Sequence, residues 1–158
     1  MHGWGRALAS AKWATSAGLA TASKGTRLRA GDSLTFFYSA EQPGYLALYA
    51  VEGPEVTRVF PTQGAVSAAI VAGQAQRLPQ GAEVAGVSPC EWLVAVFSDV
   101  PLQLSDLHTQ LAGAAALAAR SSQCQPPGKI VEARTTLTMP VRLCRGCCLM
   151  YCVLCCYL

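Results

Sequence analysis

The sequence predicts a mainly β protein, an antiparallel β-sandwich with one α-helix inserted before the last strand. Three observations lead there. Turn signals built on Gly, Pro and Asp recur about every ten residues from position 31 onward, a spacing that suits strands joined by short connections. The stretches between them are rich in β-branched and aromatic residues. Only one segment shows apolar residues at helical spacing.

The elements follow in order. "RAGDSLTFFYSA" carries a Gly31-Asp32 turn and then the strand formers Leu34 to Tyr38. "QPGYLALYAVEGPE" begins on a Pro43-Gly44 turn and ends on Gly53-Pro54. Between them Tyr45 to Val51 is apolar at both odd and even positions, the pattern of a strand covered on both faces. "VTRVFPT" is a third strand that Pro61 ends, because proline has no N–H to continue a ladder. "AAIVAGQAQRLPQG" reads as a short fourth segment followed by a Gly-rich turn. "EWLVAVFSD", Glu91 to Asp99, is the strongest strand and is again apolar on both faces. Trp92 within it is expected to be largely buried. "LSDLHTQLAGAAALAAR" is the helix, with Leu104, Leu107, Leu111 and Ala118 on one face and Ser105 or Asp106 as its N-terminal cap. After the loop "SSQCQPPG", "KIVEARTTLTMPV" from Lys129 to Val141 is the final strand.

The domain organisation follows from this map. Residues 1–27 form a leader or disordered segment, 28–141 the β-sandwich domain, and 142–158 a cysteine-rich apolar tail. At 158 residues the chain has room for one core and no second full domain. Its hydrophobic fraction of 52% against 13% charged excludes an intrinsically disordered polar chain. The leader is rich in Ala, Ser, Thr and Gly, and the stretch from Met1 to Ala30 has five bases and no acid. It fits three readings: a secretory signal ending at the small residues Ala20 to Ala22, a transit peptide, or a loosely ordered leader.

The net charge of +3 lies at the two ends, while residues 31–140 hold nine acids and five bases. A nucleic-acid binder clusters Lys and Arg across its folded face, so no nucleic acid is expected as a partner. Catalytic patterns are scarce. The two histidines, His2 and His108, allow no His-Glu-x-x-His zinc motif, and there is no Gly-x-Ser-x-Gly elbow. Glu52 and Glu55 are the one close pair of acids, and flanking a turn they read as solvated carboxylates before they read as an acid/base couple. Cys90 with His108 has the composition of a nucleophile–base dyad, and Cys90 with Cys124 that of a disulfide; a small buried hydrophobe is the ordinary role of such a cysteine. Tyr38, Tyr45, Tyr49 and Trp92 are candidates to line a groove, against the commoner role of aromatic residues in cross-strand packing. The expectation is no enzyme, no catalytic residue and no cofactor.

Six of the eight cysteines fall between Cys144 and Cys156. Cys144, Cys147, Cys152 and Cys155 form two Cys-x-x-Cys pairs, the ligand type of tetrahedral zinc. The gap between the pairs is four residues, far shorter than the dozen or so of a zinc ribbon, so no metal site is expected and these four are its weak candidates. Arg142 and Arg145 ahead of an apolar stretch too short to span a bilayer also fit contact with a membrane surface, and the terminal "CCYL" has a prenylation-like form. The abrupt change of composition after Pro140 fits translation into another frame as well.

The order of "LRAGDSLTFFYSAEQPGYLALYAVEG", "VTRVFPTQG", "IVAGQAQRLPQG" and "EWLVAVFSDVPL" resembles a bacterial domain of unknown function, the family numbered 4384, over about Leu28 to Pro140. The chain departs from that pattern at both ends. The resemblance implies a β-rich module attached to sensors, kinases or envelope proteins, with no catalytic residues to carry over. The expected role is therefore a non-catalytic sensor-associated or protein-interaction module of a bacterial signalling or envelope protein, with another protein as partner and a place at the cell envelope or periplasmic side. The alternatives are a metal- or redox-responsive protein using the C-terminal cysteines, and a membrane-surface-associated protein anchored through the tail.

Overall fold

The computed structural model describes residues 7–15, 18–22, 27–28, 31–83, 91–120 and 135–143. Two sheets and one helix make up the described residues. The elements are β1 (Ala7–Thr15), β2 (Gly18–Ala22), β3 (Arg27–Leu28), β4 (Ser33–Ala40), β5 (Gly44–Glu52), β6 (Glu55–Phe60), β7 (Ala68–Ile70), β8 (Gly73–Glu83), β9 (Glu91–Ser98), α1 (Leu104–Ala118) and β10 (Thr135–Leu143). One sheet has the order β2-β1-β4-β8. The other runs β3-β10-β9-β5-β6, with β7 also paired to β5. All pairings are antiparallel except the short one between β10 and β3. The antiparallel β class and the helix before the last strand are those the sequence predicts. Neither sheet closes on itself; a common core joins them.

That core follows from alternation. In β4, Leu34, Phe36, Tyr38 and Ala40 are buried and the residues between them are not, the period of two that turns one face inward. They meet Leu46 and Leu48 of β5, Leu93, Ala95 and Phe97 of β9, and Leu78 of β8. The opposite face of the six-stranded sheet is covered by α1. There Ala47, Tyr49 and Val51 of β5 and Val94 and Val96 of β9 pack on Leu104, Leu107, Leu111 and Ala115. β5 and β9 thus lie between two layers, which is why their sequences are apolar at odd and even positions alike. The β5–β6 connection is the two-residue turn Gly53-Pro54. Gly53 has φ +57°, and proline fixes the next residue near −65°, the combination of a type II′ hairpin turn.

Several expectations need correction. Residues 73–83 form an eleven-residue strand, where the sequence reads as a turn. β8 is an edge strand with an irregular register to β4 and a single fully buried residue, Leu78, so it carries neither the alternation nor the apolar content of the other strands. The segment read as a leader supplies β1 and β2, with β1 paired to β4 from Ala7↔Ala40 to Ala14↔Ser33. The helix cap is Gln103, and it makes no side-chain capping bond. Ser105 and Asp106 lie inside the first turn, and the Leu104 N–H is held instead by the Ala65 carbonyl at 2.8 Å. Ala115, not Ala118, completes the buried stripe of the helix, in step with Leu104, Leu107 and Leu111. Trp92 is half-buried, because it sits at the border of the helix-side core. The expected final strand appears as β10 from Thr135 onward; residues 129–134 lie outside the described residues.

Candidate functional site

A pocket of about 360 Å³ opens on the helix side of the six-stranded sheet, lined by Tyr49, Arg58, Gly64, Ala65, Leu104, Ser105 and His108. The sheet register explains its floor. Tyr49 of β5 stands directly opposite Arg58 of β6, so both side chains leave the sheet on the face that α1 covers. Tyr49 is fully buried, and its hydroxyl donates to the Leu104 carbonyl oxygen at 3.2 Å. Burial pushes the phenol up to about 12, with the Arg58 guanidinium pulling weakly the other way.

The wall is a stitched loop. Arg58 donates from Nη1 to the Gly64 carbonyl at 3.0 Å and from Nη2 to the Thr62 carbonyl at 3.2 Å. Ser67 is buried and closes the loop against the residues before α1. Its Oγ accepts the Leu102 N–H at 2.9 Å, and its own N–H donates to the Leu102 carbonyl at 2.9 Å. With the Leu104 N–H to Ala65 bond, this fixes where the helix begins relative to β6. Ser105 and His108, one turn apart and both exposed, form the rim. The Ser105 hydroxyl donates to Asp106 Oδ1 at 3.2 Å, so its proton is directed at a carboxylate and not at the imidazole. Among the described residues no acid lines the pocket.

A second arrangement lies on the other face of the same sheet. Glu91 of β9 is opposite Glu52 of β5, and Glu52 is opposite Glu55 of β6, so three glutamates share one row. Glu91 is buried, and its Oε2 has no hydrogen-bond partner among the described residues. Burial first, and the neighbouring Glu52 second, raise its carboxyl above the usual carboxylate range. Among the described residues no group of three or more His, Cys, Asp or Glu is placed to hold a metal ion.

The residues singled out in the sequence therefore separate. Tyr49 and His108 meet in the pocket, on its floor and its rim. Tyr38 is core, packed between the sheets, and Tyr45 and Trp92 are half-buried and line none of this pocket. Cys90, Cys124 and the tail cysteines Cys144, Cys147, Cys152 and Cys155 lie outside the described residues. Arg58 and Ser105 are the lining residues that sequence reasoning missed. An arginine inside "VTRVF" reads as a solvent-facing strand residue; only its register with Tyr49 brings it under the helix. The described helix is not long and apolar enough to cross a membrane.

No family model, curated protein or solved structure matches the chain, so the resemblance to family 4384 gains no support from these comparisons.

Proposed function

We propose that this chain is a non-catalytic protein-interaction module that receives a short segment of a partner protein in the Tyr49–Arg58–His108 pocket. The observation that supports it most is the chemistry of the lining: an apolar floor, one cation and one imidazole, with no base set against a nucleophile. The volume, about 360 Å³, is at the small end of the range for ligand pockets and suits one side chain or a chain end. The alternative mode, a strand added to a sheet edge, has less in its favour at β8. Ala75 there has φ +50°, Pro79 offers no N–H, and the register to β4 shifts twice, features that blunt an edge. Membership of a bacterial signalling or envelope protein belongs to the same proposal and rests on the order of motifs that resembles family 4384.

The test is selection from a displayed library of short peptides, followed by amide chemical-shift mapping on the ¹⁵N-labelled chain. Selected peptides are expected to move Ala65, Ser105 and His108. Peptides that bind while leaving these three unmoved would place the interaction elsewhere.

A further inference from the structure

We infer that the group seated in the Tyr49–Arg58–His108 pocket is a carboxylate, an inference that rests on the reading of this pocket as the docking site. Among the described residues Arg58 is the one charged side chain of the lining, beside the imidazole of His108, and no aspartate or glutamate lines it. Its guanidinium is held in place by the Thr62 and Gly64 carbonyls. Those two bonds use two of its five N–H donors and leave three in a fixed plane. A fixed guanidinium fork matches the two oxygens of a carboxylate and loses little entropy on binding it.

The helix adds to this. Gln103 caps α1 without a side-chain bond, so the Ser105 N–H has no acceptor within the helix, and Ser105 lines the pocket. The N-terminal end of α1 favours negative charge there. Asp106 in the same turn works against it, yet its carboxylate accepts the Ser105 hydroxyl and is not part of the lining. The Tyr49 hydroxyl is committed to Leu104, so the floor offers its ring, beside Leu104 and Ala65, to the apolar stem that carries the carboxylate. A single guanidinium balances a monoanion; a phosphate dianion calls for more positive charge than the lining holds.

The experiment titrates the full ¹⁵N-labelled chain with benzoate, benzamide and inorganic phosphate, reading the Ala65, Ser105 and His108 amides. Benzoate is expected to bind saturably, and benzamide roughly tenfold more weakly, the loss for a hydrogen bond to a charged group. Phosphate is expected to bind more weakly than benzoate. Arg58→Gln is expected to abolish the benzoate response. Because that change also releases Thr62 and Gly64, His108→Glu is the second variant. It places a negative charge at an exposed rim position and is expected to weaken benzoate about threefold while the rest of the spectrum stays in place. N-acetyl-valine and the amidated, acetylated form of glutamate then separate a chain terminus from an acidic side chain, and the tighter of the two names the source. Benzamide binding as tightly as benzoate, or phosphate binding more tightly, overturns the carboxylate assignment and leaves the pocket as a docking site. If no probe, N-acetyl-valine included, moves the three amides, both readings fall.

Discussion

The hydroxyl of Tyr49 and the carbonyl oxygen of Leu104 are joined by a buried hydrogen bond of 3.2 Å across 55 positions of sequence. This bond ties the middle of β5 to the first turn of α1. Tyr49→Phe keeps the ring and removes the bond, and is expected to cost about 1 kcal/mol in urea unfolding. The same residue gives a pH signature. Its pKa is raised from 10.0 to about 12, so its contribution to stability is complete below pH 10 and is lost as pH rises through about 12. Subtracting the ultraviolet titration of Tyr49→Phe from that of the unaltered chain should isolate one phenol ionising near 12. A difference curve centred at 10 would show that the floor of the pocket is wet.

Glu91 provides the corresponding experiment at lower pH. Its folded-state carboxyl is raised by burial and by Glu52, so the folded state holds its proton more tightly than the unfolded one. Stability from this group is present below the unfolded value and is lost as pH rises through the folded one. Glu91→Gln is therefore expected to raise the melting temperature at pH 7 and to flatten its fall between mildly acidic and neutral pH. A lower melting temperature at pH 7 would mean that the charged form is the stabilised one.

Ser67 controls the wall of the pocket. Ser67→Ala leaves the buried Leu102 N–H without its acceptor, and is expected to cost about 1–3 kcal/mol by chemical denaturation. The Leu104 amide, which donates to the Ala65 carbonyl in the neighbouring bond, should shift with it.

Trp92 is half-buried, so Trp92→Ala is expected to cost about 1–3 kcal/mol, below the 3–5 kcal/mol of a fully enclosed aromatic. Unfolding curves decide it; a loss above that range would mean the side chain is enclosed.

The legible parts of this chain are those in which burial leaves a periodic trace. β4 alternates, β5 and β9 are apolar throughout, and α1 repeats Leu104, Leu107, Leu111 at helical spacing. β8 left no trace because an edge strand with Gly73, Pro79 and Gly81 has the composition of a turn. β1 and β2 are equally hidden, since they are rich in alanine, which is depleted in strands. The pocket was half legible. Aromatic Tyr49 and histidine His108 attract notice by type, whereas Arg58 acquires its place from a cross-strand register that no local pattern encodes.

Because β5 and β9 belong to both cores, opening either core exposes apolar residues of the same two strands. Lifting α1 away would uncover Ala47, Tyr49, Val51, Val94 and Val96, and parting the sheets would uncover Leu46, Leu48, Leu93 and Phe97 from the same two strands. Native-state hydrogen exchange should therefore find the β5 and β9 amides among the slowest of the described residues, opening only with the whole molecule. The outer strand β8 should exchange by local fraying. A ligand held between β6 and α1 would then slow exchange in the central strands to the same degree throughout, since what it opposes is global opening.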